Sequence, residues 1–307
     1  MEHKGREIKS RSLKFGSFEG LIEDVHCRLC GESSNSKLVY RNKEGVGFYH
    51  CENCGLMYAS PRFTEESMLR ISENEAFTDL SMFDRWSYDE WKKDRSRSYN
   101  LSFQKVLLLK RYLPAGSRIL DLGCGTGLFV LESIKNNFLC EGIDPSLRLT
   151  YISREILKVP IATMQIEEFN PPYRFKGIVV WDVLEHLYGP VRVVKRCADL
   201  LEPEGFLFVQ VPHYRGLSNS LKTFFCRIGV KKSGFKHFGF PWHVYSFDKR
   251  SLTNLMKISG LRVIHFESWS HLKKINRTDC LSQIIIKISK TLCLSDYLVC
   301  IAQKPSK

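Results

Sequence analysis

The sequence predicts an α/β fold, in which a mostly parallel sheet carries helices on both faces. Two observations lead to this prediction. From residue 117 onward, short apolar runs alternate with longer amphipathic segments, as strands alternate with helices. In addition, a Gly-rich turn at 123–127 follows the first apolar run, and an acidic residue, Asp144, ends the second. A strand, a tight turn, a helix and a second strand in this order form half of a nucleoside-binding unit.

The strands and helices follow from these runs in chain order. We expect strands over 118–122, 139–143, 159–163, 177–182, 206–211, 261–266 and 297–302. We expect helices over 127–136, 146–156, 190–201 and 249–259, and a basic helical stretch near 281–291. Pro203 and Gly205 end the third helix, and Gly260 ends the fourth, because neither residue type continues a helix.

The N-terminal part has a different composition and is divided separately. Residues 1–20 are polar and mixed in charge, which predicts a disordered tail. Residues 21–63 form a small module with four cysteines, and 64–115 a helical linker or lid. The main domain spans 116–307 and includes a long connection, 213–245, that we expect to cover a substrate.

Four cysteines in the small module predict a structural zinc site. Cys27 and Cys30 form one Cys-x2-Cys-Gly knuckle, and Cys51 and Cys54 form a second after twenty intervening residues. Each knuckle presents two thiolates, and two knuckles complete a tetrahedral set of four sulfur ligands. Because four protein ligands leave no open position, the metal is expected to stabilise the module and not to catalyse.

The glycine spacing in the turn separates two cofactor classes. A dinucleotide fingerprint places glycines at relative positions one, three and six. Here they fall at Gly123, Gly125 and Gly127, and Leu128 occupies position six. This spacing disfavours a pyrophosphate cradle.

The segment 119–127 instead resembles motif I of the class I S-adenosylmethionine-dependent methyltransferases. That resemblance implies a seven-stranded Rossmann-like sheet with an antiparallel last strand. It also implies that the glycine turn, with Asp121, lies against the methionine part of S-adenosylmethionine. Asp144 would bind both ribose hydroxyls, because a diol offers two donors and one carboxylate accepts both. Further cofactor contacts are expected from Ile166 under the adenine, Glu167 at its amino group and Asp182 after the fourth strand.

Other segments extend the resemblance over roughly residues 25–305. Trp181 to Leu187 is similar to the segment after the fourth strand of small-molecule methyltransferases, and 203–212 to their turn and fifth strand. Residues 242–247 are similar to their His-x-x-x-Phe stretch. The cysteine module followed by 55–62 resembles a subgroup with an N-terminal zinc-binding module, many of whose members act on sugars or other small metabolites.

Candidate catalytic residues follow from position. His186 lies at the end of the fourth strand and is the first candidate for a general base, needed only if the acceptor loses a proton. His243, Tyr245 and His213 are further candidates. An alternative role for Glu185 and His186 is to bind a divalent ion, as the resemblance to quinone-biosynthesis methyltransferases suggests.

The charge distribution and the cysteines indicate the kind of partner and the cellular compartment. The chain has 307 residues and a net charge of +13, and residues 213–307 carry 17 Lys and Arg against 4 Asp and Glu, which accounts for the whole excess. Such asymmetry indicates an anionic partner. Eleven cysteines, with no apolar run long enough for a transmembrane segment and no secretion signal at the start, predict a reducing cytoplasmic location.

These observations lead to one hypothesis and two alternatives. The first is methyl transfer to a small anionic metabolite, such as a sugar nucleotide, a glycan precursor or a lipid precursor. Basic and aromatic side chains of the 213–245 connection would bind it: Lys222, Arg227, Lys231, Lys232 and Lys236, with Phe224, Phe225, Phe235, Phe238 and Phe240. The second is an RNA methyltransferase that binds through the zinc module and the basic C-terminal third. The third is a membrane-surface scaffold that keeps the fold without catalysis and binds anionic lipid through a short amphipathic helix at 217–228.

Overall fold

The computed structural model describes residues 11–15, 18–31, 35–73, 95–228, 238–269 and 292–306. The strands before the main domain are β1 Arg11–Phe15, β2 Phe18–Glu23, β3 Ser36–Arg41, β4 Gly47–Cys51, β5 Met57–Ser60 and β6 Arg62–Phe63. The strands after it begins are β7 Arg118–Leu122, β8 Leu139–Asp144, β9 Ile161–Thr163, β10 Phe175–Trp181, β11 Leu201–Pro212, β12 Tyr245–Ser246, β13 Arg262–Trp269 and β14 Tyr297–Gln303. The helices are α1 Glu65–Glu73, α2 Arg95–Leu109, α3 Leu128–Lys135, α4 Leu147–Tyr151, α5 Pro190–Leu200, α6 Leu217–Arg227 and α7 Lys249–Ile258.

A seven-stranded sheet lies at the centre of the fold, in the order β13-β14-β11-β10-β7-β8-β9. Strands β7 to β11 pair in parallel, and β14 runs antiparallel to both β11 and β13. All seven expected strands and the antiparallel last strand are therefore confirmed. The inner strands are buried on both faces, which is why β10 and the second half of β11 read as continuous apolar runs.

Two boundaries in this domain differ from the sequence prediction by five residues, more than the others do. Strand β11 begins at Leu201, five residues before the expected start, because Leu201 already pairs with Phe175 across a register shift. The helix predicted over 146–156 is an α-helix only to Tyr151, and Ile152–Leu157 continues as a wider π-turn. In that turn the Ser153 hydroxyl donates to the carbonyls of Leu149 and Gly125, a side-chain bond that competes with regular helical bonding.

The structure corrects the disordered tail expected at 1–20. Within its described part, β1 and β2 form an antiparallel hairpin, and β2 pairs with β6 through Ile22 and Phe63. Leu13 and Ile22 pack on the cluster around Phe63 and Ile71. This burial gives a mainly polar segment enough apolar contact to fold, which composition alone does not reveal.

The cysteine module and the end of the 213–245 connection share one sheet, in the order β12-β5-β4-β3. Tyr245 of β12 pairs with Tyr58 of β5. Phe238 packs in the core of this module, with its ring centroid 4.9 Å from that of Phe48, and Phe240 packs on Phe48 and Phe63. These two phenylalanines, expected against a substrate, are therefore used in packing.

Other expectations fall outside the described residues. These are the basic helical stretch near 281–291 and the side chains of Phe235, Lys231, Lys232 and Lys236. The amphipathic helix expected at 217–228 is present as α6, with Leu221, Phe224 and Phe225 exposed. Within the described ranges, the helices are too short or too polar to cross a bilayer.

One prediction concerns the packing of Gly127. Its φ is +78°, and a Cβ there would lie 2.5 Å from Ile161 Cδ1 and 2.9 Å from Val159 Cγ2. Gly116 has a similar φ of +81°, and a Cβ there would meet no atom within 4 Å, so Gly116→Ala is the matched control. We expect both alanines to cost about 1–2 kcal/mol for the left-handed backbone. Gly127→Ala is expected to cost about 1–3 kcal/mol more for overpacking, measured by urea unfolding. Equal losses in the two variants would contradict this packing.

Candidate active site

The carboxyl ends of β7, β8 and β10 bring three acidic residues to one edge of the sheet: Asp121, Asp144 and Asp182. The glycine turn after β7 lies at the same edge, and all three of its glycines have positive φ. A Cβ at Gly123 would lie 2.5 Å from Val183 Cγ2, so the turn packs directly on the segment after β10. Ligands of open parallel sheets bind at this edge.

Asp144 is buried and holds the glycine turn. Its Oδ2 accepts from the backbone N–H of Gly125 at 3.0 Å, and its Oδ1 accepts from that of Ser146 at 2.8 Å. Burial raises the pKa of the carboxyl, and these two hydrogen bonds act in the opposite direction. Each carboxylate oxygen has a second lone pair, so Asp144 retains the capacity to accept from a ligand.

Asp121 and Asp182 face the ammonium group of Lys105, a residue that sequence reasoning missed. Burial raises the pKa of Asp121 to about 7, and the charge of Lys105 opposes that shift. Asp182 has a φ of +58°, and its Oδ2 accepts from Gln210 Nε2 at 2.7 Å. Its Oδ1 is buried and has no hydrogen-bond partner among the described residues. A strained, incompletely paired carboxylate of this kind is typical of a functional site.

Lys105 lies on the inner side of α2, with its Nζ 5.1 Å from the centroid of the Trp181 ring. Burial lowers its pKa, and both carboxylates act to raise it. The signal in the sequence was a lysine next to Val106 and near Leu108 and Leu109, which are all buried. Without the tertiary structure, nothing shows that this lysine faces inward.

Glu185, His186 and His243 come together after β10. Their ligand atoms lie within 4.8 Å of one another, and the two imidazole centroids are 4.8 Å apart. His186 Nδ1 lies 3.1 Å from the carbonyl oxygen of Trp242. Because a carbonyl only accepts, Nδ1 carries the proton of the neutral ring and Nε2 is its basic nitrogen. The backbone N–H of Val244 donates to the Glu185 carbonyl at 2.9 Å, so the 213–245 connection packs directly on this segment.

Burial controls the protonation of these groups. It lowers the pKa of His186 to about 4 and that of His243 to about 3, so both rings are neutral at pH 7. Burial raises the pKa of Glu185 well above its usual range, and the charge of Asp182 adds to the effect. Neither oxygen of Glu185 has a hydrogen-bond partner among the described residues. The cluster therefore offers unprotonated imidazole nitrogen beside an incompletely paired carboxyl.

The other predicted site residues are buried or paired with neighbouring groups of the protein. Tyr245 is 1% exposed, and its hydroxyl donates to the Tyr188 carbonyl at 3.4 Å. His213 is buried at the end of β11, where its backbone bridges to Phe247. Ile166 is 3% exposed and packs in the core of the sheet. Glu167 accepts from Arg192 Nε at 2.8 Å through Oε1.

The four cysteines of the module converge on one point. Sγ of Cys27 lies 3.3 Å from that of Cys54, and Sγ of Cys30 lies 3.5 Å from that of Cys51. Gly31 and Gly55 have φ of +75° and +83°, and their N–H groups donate to the carbonyls of Cys27 and Cys51. The hydrogen bond with Cys54 lowers the pKa of Cys27 to about 5. Tetrahedral Zn–S bonds of about 2.3 Å separate sulfurs by about 3.8 Å, so this donor set fits zinc.

Comparison with known proteins decides the family. The sequence model of a methyltransferase domain matches residues 91–266, more than half of the chain. The chain belongs to this family. It is an S-adenosylmethionine-dependent methyltransferase with the Rossmann-like fold of class I. The resemblance to the S-adenosylmethionine-dependent methyltransferases is thereby confirmed, as is S-adenosylmethionine as the cofactor.

The relatives of this methyltransferase are distant. A protein of Xylella fastidiosa (strain 9a5c) named ubiquinone biosynthesis O-methyltransferase is 25% identical over 231 residues, which is 68% of this chain and 91% of that protein. Among solved structures, an S-adenosylmethionine-dependent methyltransferase from Archaeoglobus fulgidus has a TM-score of 0.50 at 16% identity, over 71% of this chain and all of that one. A chain from the complex of the Haloferax volcanii Trm112 activator with a methyltransferase has a TM-score of 0.51 at 12% identity, over 73% and 96% of the two chains. At these identities the solved structures show the shared fold alone.

Proposed function

We propose that this methyltransferase transfers a methyl group to a small anionic metabolite, such as a sugar nucleotide, a glycan precursor or a lipid precursor. The observation that carries the proposal is the packing of the 238–246 segment beside the candidate base. This segment contacts Glu185 and His186 through its backbone and pairs with the cysteine module through β12, which suits a small acceptor bound between these parts of the chain. The Xylella relative, which is named for O-methylation in ubiquinone biosynthesis, also favours a small molecule.

We assign the cofactor site to the glycine turn and the acidic edge. Gly125, where a Cβ would meet only Leu149 at 4.0 Å, leaves room for close approach of the methionine part, and Gly123 and Gly127 hold the turn by packing on Val183 and Ile161. Asp144 accepts from both ribose hydroxyls. Burial raises the pKa of Asp121 and Asp182, and a bound sulfonium cation would favour the ionised form of both carboxyls. At the adenine, Glu167 would accept from the amino group through Oε2, because its Oε1 is paired with Arg192. Ile166, which is buried in the core, would lie beneath the base.

The acceptor's proton would go to His186. Trp242 fixes the ring through Nδ1, so Nε2 is presented as the base, and His243 packs against it. Glu185, with Oε1 4.0 Å from His186 Nε2, would stabilise the imidazolium that forms. Tyr245 contributes by holding Tyr188, two residues after His186. The close donor atoms of Glu185, His186 and His243 also favour a second arrangement, in which they bind a divalent cation that activates the acceptor.

We also propose that the four cysteines bind one structural zinc ion and that the chain functions in the cytoplasm. All ten cysteines in the described residues are free thiols, which suits a reducing compartment. A membrane-surface contact is proposed for α6, whose exposed Leu221, Phe224 and Phe225 lie in the basic part of the chain. Such a contact would bring the site close to a lipid precursor.

The proposed function is tested with labelled S-adenosylmethionine and a panel of nucleotide sugars, lipid-linked phosphates and RNA. We expect transfer to a small phosphorylated acceptor with a mild dependence on salt. RNA methylation that weakens steeply with ionic strength would contradict the proposal.

The proposed cofactor site is tested with Asp144→Ala. We expect the affinity for S-adenosylmethionine, measured by calorimetry, to fall about tenfold to a hundredfold, because hydrogen bonds to a charged carboxylate are lost. Asp144→Asn is the control, since its amide oxygen can still accept from Ser146 and its loss should be smaller. Unchanged affinity in the alanine variant would place the ribose elsewhere.

The role of His186 is tested by His186→Ala. We expect kcat to fall about 10²–10⁴-fold, as for loss of a general base, with unchanged cofactor affinity. His265→Ala is the control, because His265 is exposed on β13 at the far edge of the sheet. Brief chelation separates the two arrangements: activity should survive if His186 acts as the base. If chelation abolishes activity, and Mg²⁺ restores that activity but Zn²⁺ does not, the divalent-cation arrangement is favoured instead.

The zinc site is tested by Cys51→Ser, with Cys226→Ser on α6 as the control. We expect about one zinc per chain in the wild type and in Cys226→Ser, measured by atomic absorption, and less in Cys51→Ser. The thermal midpoint should fall in Cys51→Ser, because metal binding stabilises the folded module. Equal zinc content in the two variants would show that the four sulfurs are not a metal site.

A further inference from the structure

A cavity of about 920 Å³ opens between strands β2 and β6 and the first turn of α5. Strands β2 and β6 contribute Glu23 and Arg62 to its wall, and the main domain contributes Tyr188, the start of α5 and Glu167. It does not coincide with the glycine turn or with the basic part of the 213–245 connection, where the sequence predicts an anionic group. Its size is within the range of small-molecule sites.

The most unusual group in this wall is the side chain of Arg62. The residue is 1% exposed, its Nε donates to Glu23 Oε1 at 2.9 Å, and its guanidinium carbon lies 4.3 Å from the centroid of the Tyr188 ring. The Nη1 atom is buried and has no hydrogen-bond acceptor among the described residues, although the guanidinium as a whole has Tyr245 as a further hydrogen-bonding and charge partner. A buried cationic nitrogen without an acceptor is costly, and a bound ligand would relieve that cost.

Arg196 gives a second observation of the same kind. Its Nη2 donates to the carbonyl of Phe169 at 2.6 Å, and its Nε is buried without a partner among the described residues. Arg196 also lines the cavity. Two arginines from different parts of the chain therefore line one cavity, and each guanidinium retains one buried donor without a partner among the described residues.

The start of α5 adds backbone donors. This eleven-residue helix begins after Gly189 without a side-chain cap, and Gly189, Pro190 and Val191 all line the cavity. Pro190 has no N–H, so the donors of the first turn begin at Val191. The first N–H groups of a helix have no partner within it, and its N-terminus carries a partial positive charge. Backbone amides at a helix start, combined with arginine, form a common arrangement for binding phosphate.

Four carboxylates line the cavity, those of Glu23, Glu65, Glu167 and Asp199, against five basic side chains, so the wall keeps a small excess of positive charge. Glu23 is paired with Arg62, and Glu167 with Arg192, so these two charges are already compensated. Arg28 lies 3.7 Å from Glu23, and Lys195 is exposed at the rim. The free hydrogen-bonding capacity that remains at Arg62, at Arg196 and at the helix start consists of donors.

We propose that this cavity binds a phosphate group of the acceptor substrate. This inference rests on the proposed function, because it takes the acceptor site to be next to His186. Tyr188 lies two residues after His186, and Glu167 belongs to the proposed adenine site, so the cavity adjoins both halves of the reaction. The phosphate is held at the junction of the N-terminal strands and α5, and the acceptor class is a phosphate ester or diphosphate. The N-terminal strands therefore contribute directly to substrate binding, through Arg62.

The test uses the full-length protein with pyrophosphate and inorganic phosphate as probes, measured by calorimetry. We expect pyrophosphate to bind in the millimolar range or tighter and to leave S-adenosylmethionine affinity unchanged. Arg62→Gln is expected to weaken pyrophosphate binding about tenfold or more, because a charged fork is replaced by a neutral amide. Arg262→Gln, an exposed residue on β13, is the matched control and should bind like the wild type.

A second variant covers the case in which Arg62→Gln does not fold. Lys195→Gln changes an exposed side chain and is expected to weaken pyrophosphate binding about threefold to tenfold while its circular dichroism stays that of the wild type. The proposal would be overturned if the wild type did not bind pyrophosphate. It would also be overturned if Lys195→Gln, and Arg62→Gln where that variant folds, bound pyrophosphate as tightly as the wild type. A loss confined to Lys222→Gln would instead place the phosphate at α6.

The two proposals fail separately. If pyrophosphate binds as expected but S-adenosylmethionine does not, the assigned cofactor site is wrong and the phosphate site stands. If S-adenosylmethionine binds and methyl transfer occurs but pyrophosphate binding does not respond to Arg62 or Lys195, the acceptor lies elsewhere and the methyl-transfer proposal stands.

Discussion

The close contact between the glycine turn and the segment after β10 organises the site. Gly123 lies against Val183 with no room for a Cβ, and Gly123 has a φ that other residues rarely adopt. Because of this contact, the turn, Asp144 and the Glu185–His186 pair lie at one edge of the sheet. A larger residue at Gly123 would separate the two loops and, with them, the proposed donor and acceptor sides.

A second constraint comes from the return of the chain to the N-terminal module. Strand β12 pairs with β5, and the carbonyl of Trp242, just before β12, holds the ring of His186. The same segment places Phe238 and Phe240 in the core of the module. The cysteine module therefore does more than precede the catalytic domain, because its sheet positions the loop that orients the candidate base. Metal binding by the module would act on the site through this path.

Electrostatics in the site follow from burial. Three carboxyl groups, those of Asp121, Asp182 and Glu185, are buried close to one ammonium group, that of Lys105, and burial raises the pKa of each carboxyl. A bound cation such as a sulfonium would favour the ionised form of these carboxyls, whereas the proposed phosphate site beside Arg62 and α5 would take an anion. The two regions have opposite preferences, which is the arrangement that a cationic donor and an anionic acceptor require.

The sequence by itself determined the succession of strands and helices along the chain, the mostly parallel sheet, the glycine turn, the acidic residue after the second strand and the grouping of the cysteines. These depend on local patterns: apolar runs, glycine where φ is positive, and paired cysteines at short spacing. Tertiary structure alone decided the burial of Lys105 between two carboxylates, the pairing of β12 with β5 and the position of Arg62 beside Tyr188. Each of these joins residues far apart in the chain, such as Arg62 and Tyr188, and depends on which side of an element faces inward. A lysine or an arginine reads as a solvated surface residue until the fold places it in the interior, so no local pattern could identify the cavity.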